Sequence, residues 1–355
     1  MSIAMQFIVV WLRLNHNDVM YQVFVTEELR RLGLSDRDIR TAVGCCLERI
    51  ARGRFAVVGT CSNPGHAKIW SSLAEGDVDE LERIGDKRDA IERVKILIRA
   101  RADLVNKQAE ISSEAWHEVF SHLSAALLWQ LEVVQIPHSR VEVIRPNTSG
   151  RFAHLIVRRR AVCDEHVKLL GDTALTSMAR TLIDVARDYD LDTSVPMLDD
   201  ALRRNVVTKR ELRTVVDTCK ERRNLRRVEI GLELADSQRE SPGESIVAVR
   251  LFEVGLGGFE PQVEIFDENG FFVARTDFAH RSSKTIIEFD GRAKYTLDSR
   301  DHRREFDRER ERERRLRALG YHVVRVFWKD LWRWQTFTDI ERVVRARTQQ
   351  RAAVR

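Results

Sequence analysis

The sequence predicts an α/β chain of several domains, on three observations. Runs with strand alternation lie beside runs with helical spacing, in blocks of differing texture. At 355 residues the chain is long enough for two or three cores. Its 43% hydrophobic and 32% charged residues place it among globular chains with a charge-rich surface, not among disordered ones. Sixty basic against 55 acidic residues leave a formal net charge of +5, a balance that permits nucleic-acid binding without requiring it.

The five cysteines (Cys45, Cys46, Cys61, Cys163, Cys219) are odd in number and lack CxxC or Cys/His spacing. That argues against a disulfide framework and against a zinc site, and points to a reducing cytoplasm. No apolar run reaches 18 residues, so no membrane partner is expected. The apolar opening, residues 3–12, reads as a packed segment or as an extension upstream of Met20, a second possible start.

Residues 20–69 read as a winged helix-turn-helix DNA-binding domain. Thr26 suits the cap of a helix through Leu32 that Gly33 ends. Ser35, with Asp38 three residues on, forms a capping-box start for a second helix to Val43. Arg37, Arg40 and Thr41 would face outward from it, toward bases or phosphates. Two apolar runs around Arg52-Gly53-Arg54 read as a β-wing with arginines at its tip. An ordinary helical hairpin with solvated arginines fits the same spacing.

Residues 70–113 have helical spacing and suggest a long connector. Residues 114–238 form an α/β middle domain: an apolar helix at 121–134, strands at 141–145 and 152–157, a helix from Thr176, and further helices over 195–238. Arg158–Arg160 reads as a solvated strand end, and the scattered histidines share no metal spacing. Nothing in this block suggests catalysis.

The last domain, 239–347, is organised around residues 274–294. Residues 285–290 alternate in a strand period, with Ile286, Glu288 and Asp290 on one side. A turn centred on Ser282–Ser283 would set Asp277 opposite Glu288 and Arg275 opposite Asp290, with Cβ atoms about 5 Å apart. Three carboxylates on one face repel unless something positive sits among them, which suits a hard cation such as Mg²⁺. Ahead of the hairpin, Ser241 and Pro242 start a helix to about Val254. Glu244 either completes a capping box with Ser241 or, on one stripe with Val247 and Leu251, turns toward the hairpin; the second role is favoured. A strand at 258–265 carries Gln262. The charge-rich stretch 299–319 reads as a solvated helix ended by Gly320, followed by a buried strand at 321–328 and short helices at 329–334 and 338–347.

This order of elements resembles the restriction-endonuclease-like fold of the PD-(D/E)XK nuclease superfamily, an α/β domain with a central mixed sheet. More narrowly it is similar to the uncharacterised family related to very-short-patch-repair endonucleases. The residues that carry the resemblance are ES at 244–245, PQ at 261–262, RTDF at 275–278, IEFDG at 287–291 with Lys294 and Tyr295, and RRLRALGYHVVRV at 314–326. The N-terminal two-thirds is similar to the AbiEi-type antitoxin arrangement through SHLSAA at 121–126 and RTLIDVAR at 180–187.

The resemblance implies a cytoplasmic, metal-dependent endonuclease acting on DNA, with Asp277 and Glu288 as acids for Mg²⁺ (or Mn²⁺), Glu244 as the helix acid and Gln262 lining the site. The superfamily has a lysine two residues after the second acid, where this chain has Asp290. An acid there would bind metal or orient a water, and Lys294 or Arg275 would supply the missing positive charge. The alternative reading is an antitoxin-like DNA-binding regulator, paired with a cognate toxin, whose nuclease-like domain is inactive. An RNA substrate is open as well, since such a site does not itself read the 2′-hydroxyl.

Overall fold

A computed structural model describes residues 22–71, 90–109, 118–219, 221–291 and 300–353. The opening apolar segment, Met20 and Lys294 lie outside these residues. The chain is mixed α/β and divides into two compact units, residues 1–185 with 211–219, and residues 186–210 with 220–355. Among the described residues, no helix is long and apolar enough to cross a membrane.

The first unit opens with strand β1 (Val23–Val25), helices α1 (Thr26–Arg31) and α2 (Asp36–Ala42), and strands β2 (Leu47–Ala51) and β3 (Arg54–Val57). The sheet order is β1-β3-β2, all antiparallel. Ser35 and Asp38 form the expected capping box: Ser35 Oγ accepts from Asp38 N, and Asp38 Oδ2 accepts from Ser35 N. Thr26 departs from expectation. It is the first helical residue instead of the cap, and its backbone N–H and hydroxyl both donate to Gly53 O at the β2–β3 turn. Leu29, Leu34, Ile39, Leu47, Phe55 and Val57 close the small core. A 3₁₀ turn (Pro64–His66) and helix α3 (Ala67–Trp70) follow.

Helix α4 (Ala90–Ala109) is the described part of the expected connector. Its Arg101 grips both oxygens of buried Glu118 at 2.9 Å and also donates to Ile50 O. The expected apolar helix shortens to α5 (His122–Leu128). Strands β4 (Val119–Phe120), β5 (Val141–Arg145), β6 (Gly150–Arg151), β7 (Leu155–Arg159), β8 (Val167–Leu170) and β9 (Thr173–Thr176) form a mixed sheet of order β6-β7-β5-β4-β9-β8. The arginines at 158–160 are not simply solvated. Arg158 pairs with buried Glu142 at 2.5 Å, and Arg160 with buried Asp184 at 2.8 Å, because a buried carboxylate needs a partner. Helices α6 (Met178–Asp188), α7 (Leu191–Arg203), α8 (Lys209–Thr218) and α9 (Leu225–Leu234) follow.

Helices α7 and α9, expected with the middle domain, belong to the second unit. There, α7 packs along helix α10 (Pro242–Glu253) and is tied to it by polar contacts. Ser245 Oγ donates to Asp199 Oδ2 at 2.7 Å, Arg239 Nη1 donates to the same oxygen at 2.8 Å, and Arg250 forms a two-pronged pair with Asp192. Strands β10 (Phe259–Phe266), β11 (Phe272–His280), β12 (Thr285–Asp290) and β13 (His322–Phe327) lie in that order, antiparallel except for the parallel β12–β13 pair. Helix α11 (Arg300–Ala318) connects β12 to β13. Residues 334–353 form one helix, α12 (Trp334–Ala353), longer than the short closing helix expected.

Gly243 sets how closely α10 meets the sheet. A Cβ there would lie 2.0 Å from Cε1 of Phe289, whose ring packs edge-on against Trp328. Phe289 therefore faces α10, while its neighbour Glu288 reaches α11, so the two helices cover opposite faces of the sheet. Replacing Gly243 with alanine is expected to destabilise the second unit by about 1–3 kcal/mol through forced repacking, read as a lowered urea midpoint with unchanged slope.

Candidate functional site

The site begins where two strands part. The β11–β12 ladder pairs His280 with Thr285, Ala279 with Ile286 and Phe278 with Ile287, the register expected from a turn at Ser282–Ser283. Beyond Phe278–Ile287 the pairing stops. The N–H of Phe289 then goes to a side chain, donating to Asp277 Oδ2 at 2.7 Å. Asp277 is thus fixed at the mouth of the hairpin beside Glu288.

Ser241 caps the helix by accepting from Glu244 N, but the reciprocal half of the capping box differs from expectation. Glu244 Oε1 accepts from Ser241 Oγ at 2.7 Å, and its Oε2 accepts from Glu240 N and, on the sheet side, from Gln262 Nε2, each at 2.9 Å. The carboxylate is only 5% exposed and its oxygens are engaged. Gln262 reaches it through an unusual backbone. Its φ is +49°, a left-handed conformation inside a strand, and the β10–β11 ladder skips from Pro261–Phe278 to Val263–Thr276. Such strain persists only where the surroundings enforce it, and it concentrates at functional positions.

Glu288 is held by a residue that sequence reasoning left on a solvated helix face. Arg312 of α11 donates to both Glu288 oxygens, at 2.9 and 2.5 Å, and also to Glu309. Burial opposes the charge on Arg312, but these hydrogen bonds and charges outweigh it and hold the guanidinium protonated. The signal for Arg312 was its spacing from Glu309; nothing in the sequence pointed to Glu288. Arg275, expected to supply positive charge, is exposed and pairs with Glu240 at 2.9 Å. Asp290 lies on β12 opposite Phe327, half-buried.

Asp277 is the electrostatically distinct member. Burial first, then the charges of Glu244 and Glu288, push its carboxyl up from 3.8 to about 6, although the Phe289 N–H and Arg312 pull the other way. Among the described residues, no three of these carboxylates bring oxygens within 4.8 Å of one another. Mg²⁺ takes one or two carboxylates with waters and substrate phosphates in place of an all-protein cage, so two carboxylates are the donor chemistry it would need here. Asp277 and Glu288 are its two hard-oxygen carriers, Asp277 raised by burial ahead of the neighbouring acids and Glu288 held on both oxygens by Arg312.

On the first unit, Arg37, Arg40, Arg52 and Arg54 are all exposed, and none forms an ion pair among the described residues. Arg30 and Arg31 nearby are paired with Asp36 and Glu27. Thr41 is exposed as well, and its hydroxyl bonds Arg37 O and Asp38 O and meets His66 Nε2 at 3.0 Å. No known protein family matches the chain, and no curated protein matches it.

A raised acid lowers stability as pH climbs through its folded value. Asp277 contributes most below about pH 4, and that contribution is lost as pH rises through about 6. Asp277→Asn, which keeps an oxygen for Phe289 N–H, is expected to gain about 1–2 kcal/mol over the parent at pH 7.5 and to lose that advantage by pH 4. Chemical denaturation of both proteins across this range checks it.

Proposed function

We propose that the second unit is a Mg²⁺-dependent (or Mn²⁺-dependent) endodeoxyribonuclease of the restriction-endonuclease-like class, and that the first unit grips DNA through a winged helix. The observation that carries this is Asp277. It is a carboxylate set where two strands part, raised first by burial and then by the charges of Glu244 and Glu288, at the point where the β10–β11 ladder breaks around the strained Gln262. A purely structural acid in a fold is normally matched by its cation, as Glu118 is by Arg101 and Arg145.

Asp277 and Glu288 would hold the cation, which when bound polarises the scissile phosphate and lowers the pKa of a water. The protein's own residues do the rest. Gln262 and Ser241 fix Glu244, which keeps the region negative and the helix N-terminus anchored. Arg312 neutralises Glu288 in the free protein; once that carboxylate turns to a ligand, the guanidinium is placed for two-pronged contact with a phosphate. Asp290 stands at the lysine position of the superfamily, where a carboxylate would bind the metal or orient a water.

The β1-β3-β2 sheet, whose β2–β3 hairpin follows two short helices and carries Arg52 and Arg54 with no ion pair among the described residues, supports a wing reading a groove or backbone. One observation favours a second reading. Arg312 saturates both oxygens of Glu288, the state suited to an inactive domain in an antitoxin-like regulator with a toxin partner.

Purified protein with supercoiled DNA and Mg²⁺ or Mn²⁺ is expected to produce nicked circles, with Glu288→Ala and Asp277→Ala slower by roughly 10²-fold or more. Equal cleavage by these variants, or none by the parent, overturns the nuclease reading. Separately, Arg52→Ala with Arg54→Ala is expected to weaken DNA binding about tenfold or more and to reduce the salt dependence by roughly one to two counterions. Fluorescence anisotropy titrations at several salt concentrations measure both.

A further inference from the structure

The fold gathers Cys45, Cys46, Cys61 and His66 at one place in the first unit, with their ligand atoms all within 4.8 Å of one another. The two adjacent cysteines lie between α2 and β2, Cys61 lies in the segment after β3, and His66 ends the 3₁₀ turn. Cys46 and His66 are buried, and the other two are half-buried. His66 Nδ1 lies 3.3 Å from Cys61 Sγ and 3.7 Å from Cys46 Sγ. In a tetrahedral zinc site, with Zn–S near 2.3 Å and Zn–N near 2.0–2.1 Å, sulfur and nitrogen stand about 3.6 Å apart and sulfurs about 3.8 Å. The histidine contacts bracket that value, and the 4.8 Å limit leaves a small contraction to close the site.

The other ring nitrogen is arranged as a zinc histidine requires. The Thr41 hydroxyl has two helix carbonyls within reach for its proton, Arg37 O at 3.1 Å and Asp38 O at 3.0 Å. Its oxygen lone pair is then open to accept from His66 Nε2–H at 3.0 Å, while Asn63 Nδ2, itself a donor, faces the same ring nitrogen at the longer 3.3 Å. That protonation leaves the Nδ1 lone pair aimed at the sulfurs, the outer-shell support that orients metal-bound imidazoles. Three soft thiolates and one imidazole make a closed structural site, selective for Zn²⁺ over the hard cations suited to carboxylates.

We propose that Cys45, Cys46, Cys61 and the Nδ1 atom of His66 form a structural Zn²⁺ site in the first unit. This is independent of the carboxylate site and of the nuclease reading. The expectation that the cysteines hold no zinc rested on linear spacing, and the fold brings these four residues together despite that spacing. The ion would pin the α2–β2 junction to the chain leaving β3, so that α2, with Arg37 and Arg40, is fixed against the β2–β3 pair. The thiols bind as thiolates and release their protons to solvent.

The test uses the full chain, expressed with added zinc and dialysed under reducing conditions, with metal content read by mass spectrometry. About one zinc per chain is expected, lost in Cys61→Ser and His66→Ala and retained in His66→Cys, Cys163→Ser and Cys219→Ser. Reconstitution with Co²⁺ should give tetrahedral visible bands and sulfur-to-cobalt charge transfer. Thr41→Val, which removes the hydroxyl partner of His66 without removing a ligand, should weaken zinc binding roughly 10–100-fold while leaving the cobalt spectrum tetrahedral. The proposal is overturned if the parent retains no stoichiometric zinc and gives no cobalt charge transfer. It is equally overturned if the non-reduced chain shows an intact mass two hydrogens short, with Cys61 disulfide-bonded to Cys45 or Cys46, or if His66→Ala, folded by circular dichroism, binds zinc as the parent does.

Discussion

The peptide N–H of Phe289 has lost its strand partner and takes a carboxylate instead. A backbone donor shielded from water must be satisfied, and at this half-buried position, where β11 and β12 part, the acceptor comes from Asp277. This one bond ties the geometry of the second unit to its electrostatics. It holds Asp277 inside the sheet opening, where water is partly excluded. It also keeps the ring of Phe289 against Gly243, which sets α10 close to the sheet and brings Glu244 into electrostatic range. The carboxylates converge because backbone hydrogen bonding places them together, against their mutual repulsion.

The chain handles its other buried acids differently. Burial raises the carboxyl of Glu118, but Arg101 and Arg145 bring it below its ordinary value. Asp184 follows the same pattern through His122, Arg180 and Arg160. Asp199, buried against Ser245 and Arg239, stays raised to about 6, yet it has a cation and a hydroxyl in direct contact and serves to clamp α7 on α10. Among the described residues, Asp277 contacts neither. Its partner there is an amide, and its nearest charges include two of its own sign. That difference in compensation separates a structural acid from a candidate ligand.

The local parts of the C-terminal unit were legible in the sequence because short-range rules govern them. Strand alternation gave the 285–290 face, and the paired serines gave the turn and hence the register. Ser241, Pro242 and Glu244 gave the start of α10 within a residue. The cap at Ser35 with Asp38 was equally plain. Arg312 was not, since its i−3 partner Glu309 explained it fully along the helix, and its second partner lies 24 residues away in sequence. The left-handed backbone of Gln262 was hidden because a glutamine in a β-rich run carries no mark of positive φ. Likewise the allocation of α7 and α9 to the second unit depended on which apolar and charged faces met.

The two candidate sites mark the same division from opposite sides. The sequence by itself determined which carboxylates share a strand pair, because a period of two and a tight turn leave one register that buries Ile286 and Ile287. Only the tertiary structure decided what those carboxylates meet: an arginine from a following helix and an amide from a parted strand. For Cys45, Cys46, Cys61 and His66 the sequence held no recognisable spacing at all, with adjacent cysteines in place of a spaced pair. Their convergence arises from a helix end, a hairpin exit and a 3₁₀ turn folding onto one small core, and contacts among separate elements are fixed by packing, not by position along the chain.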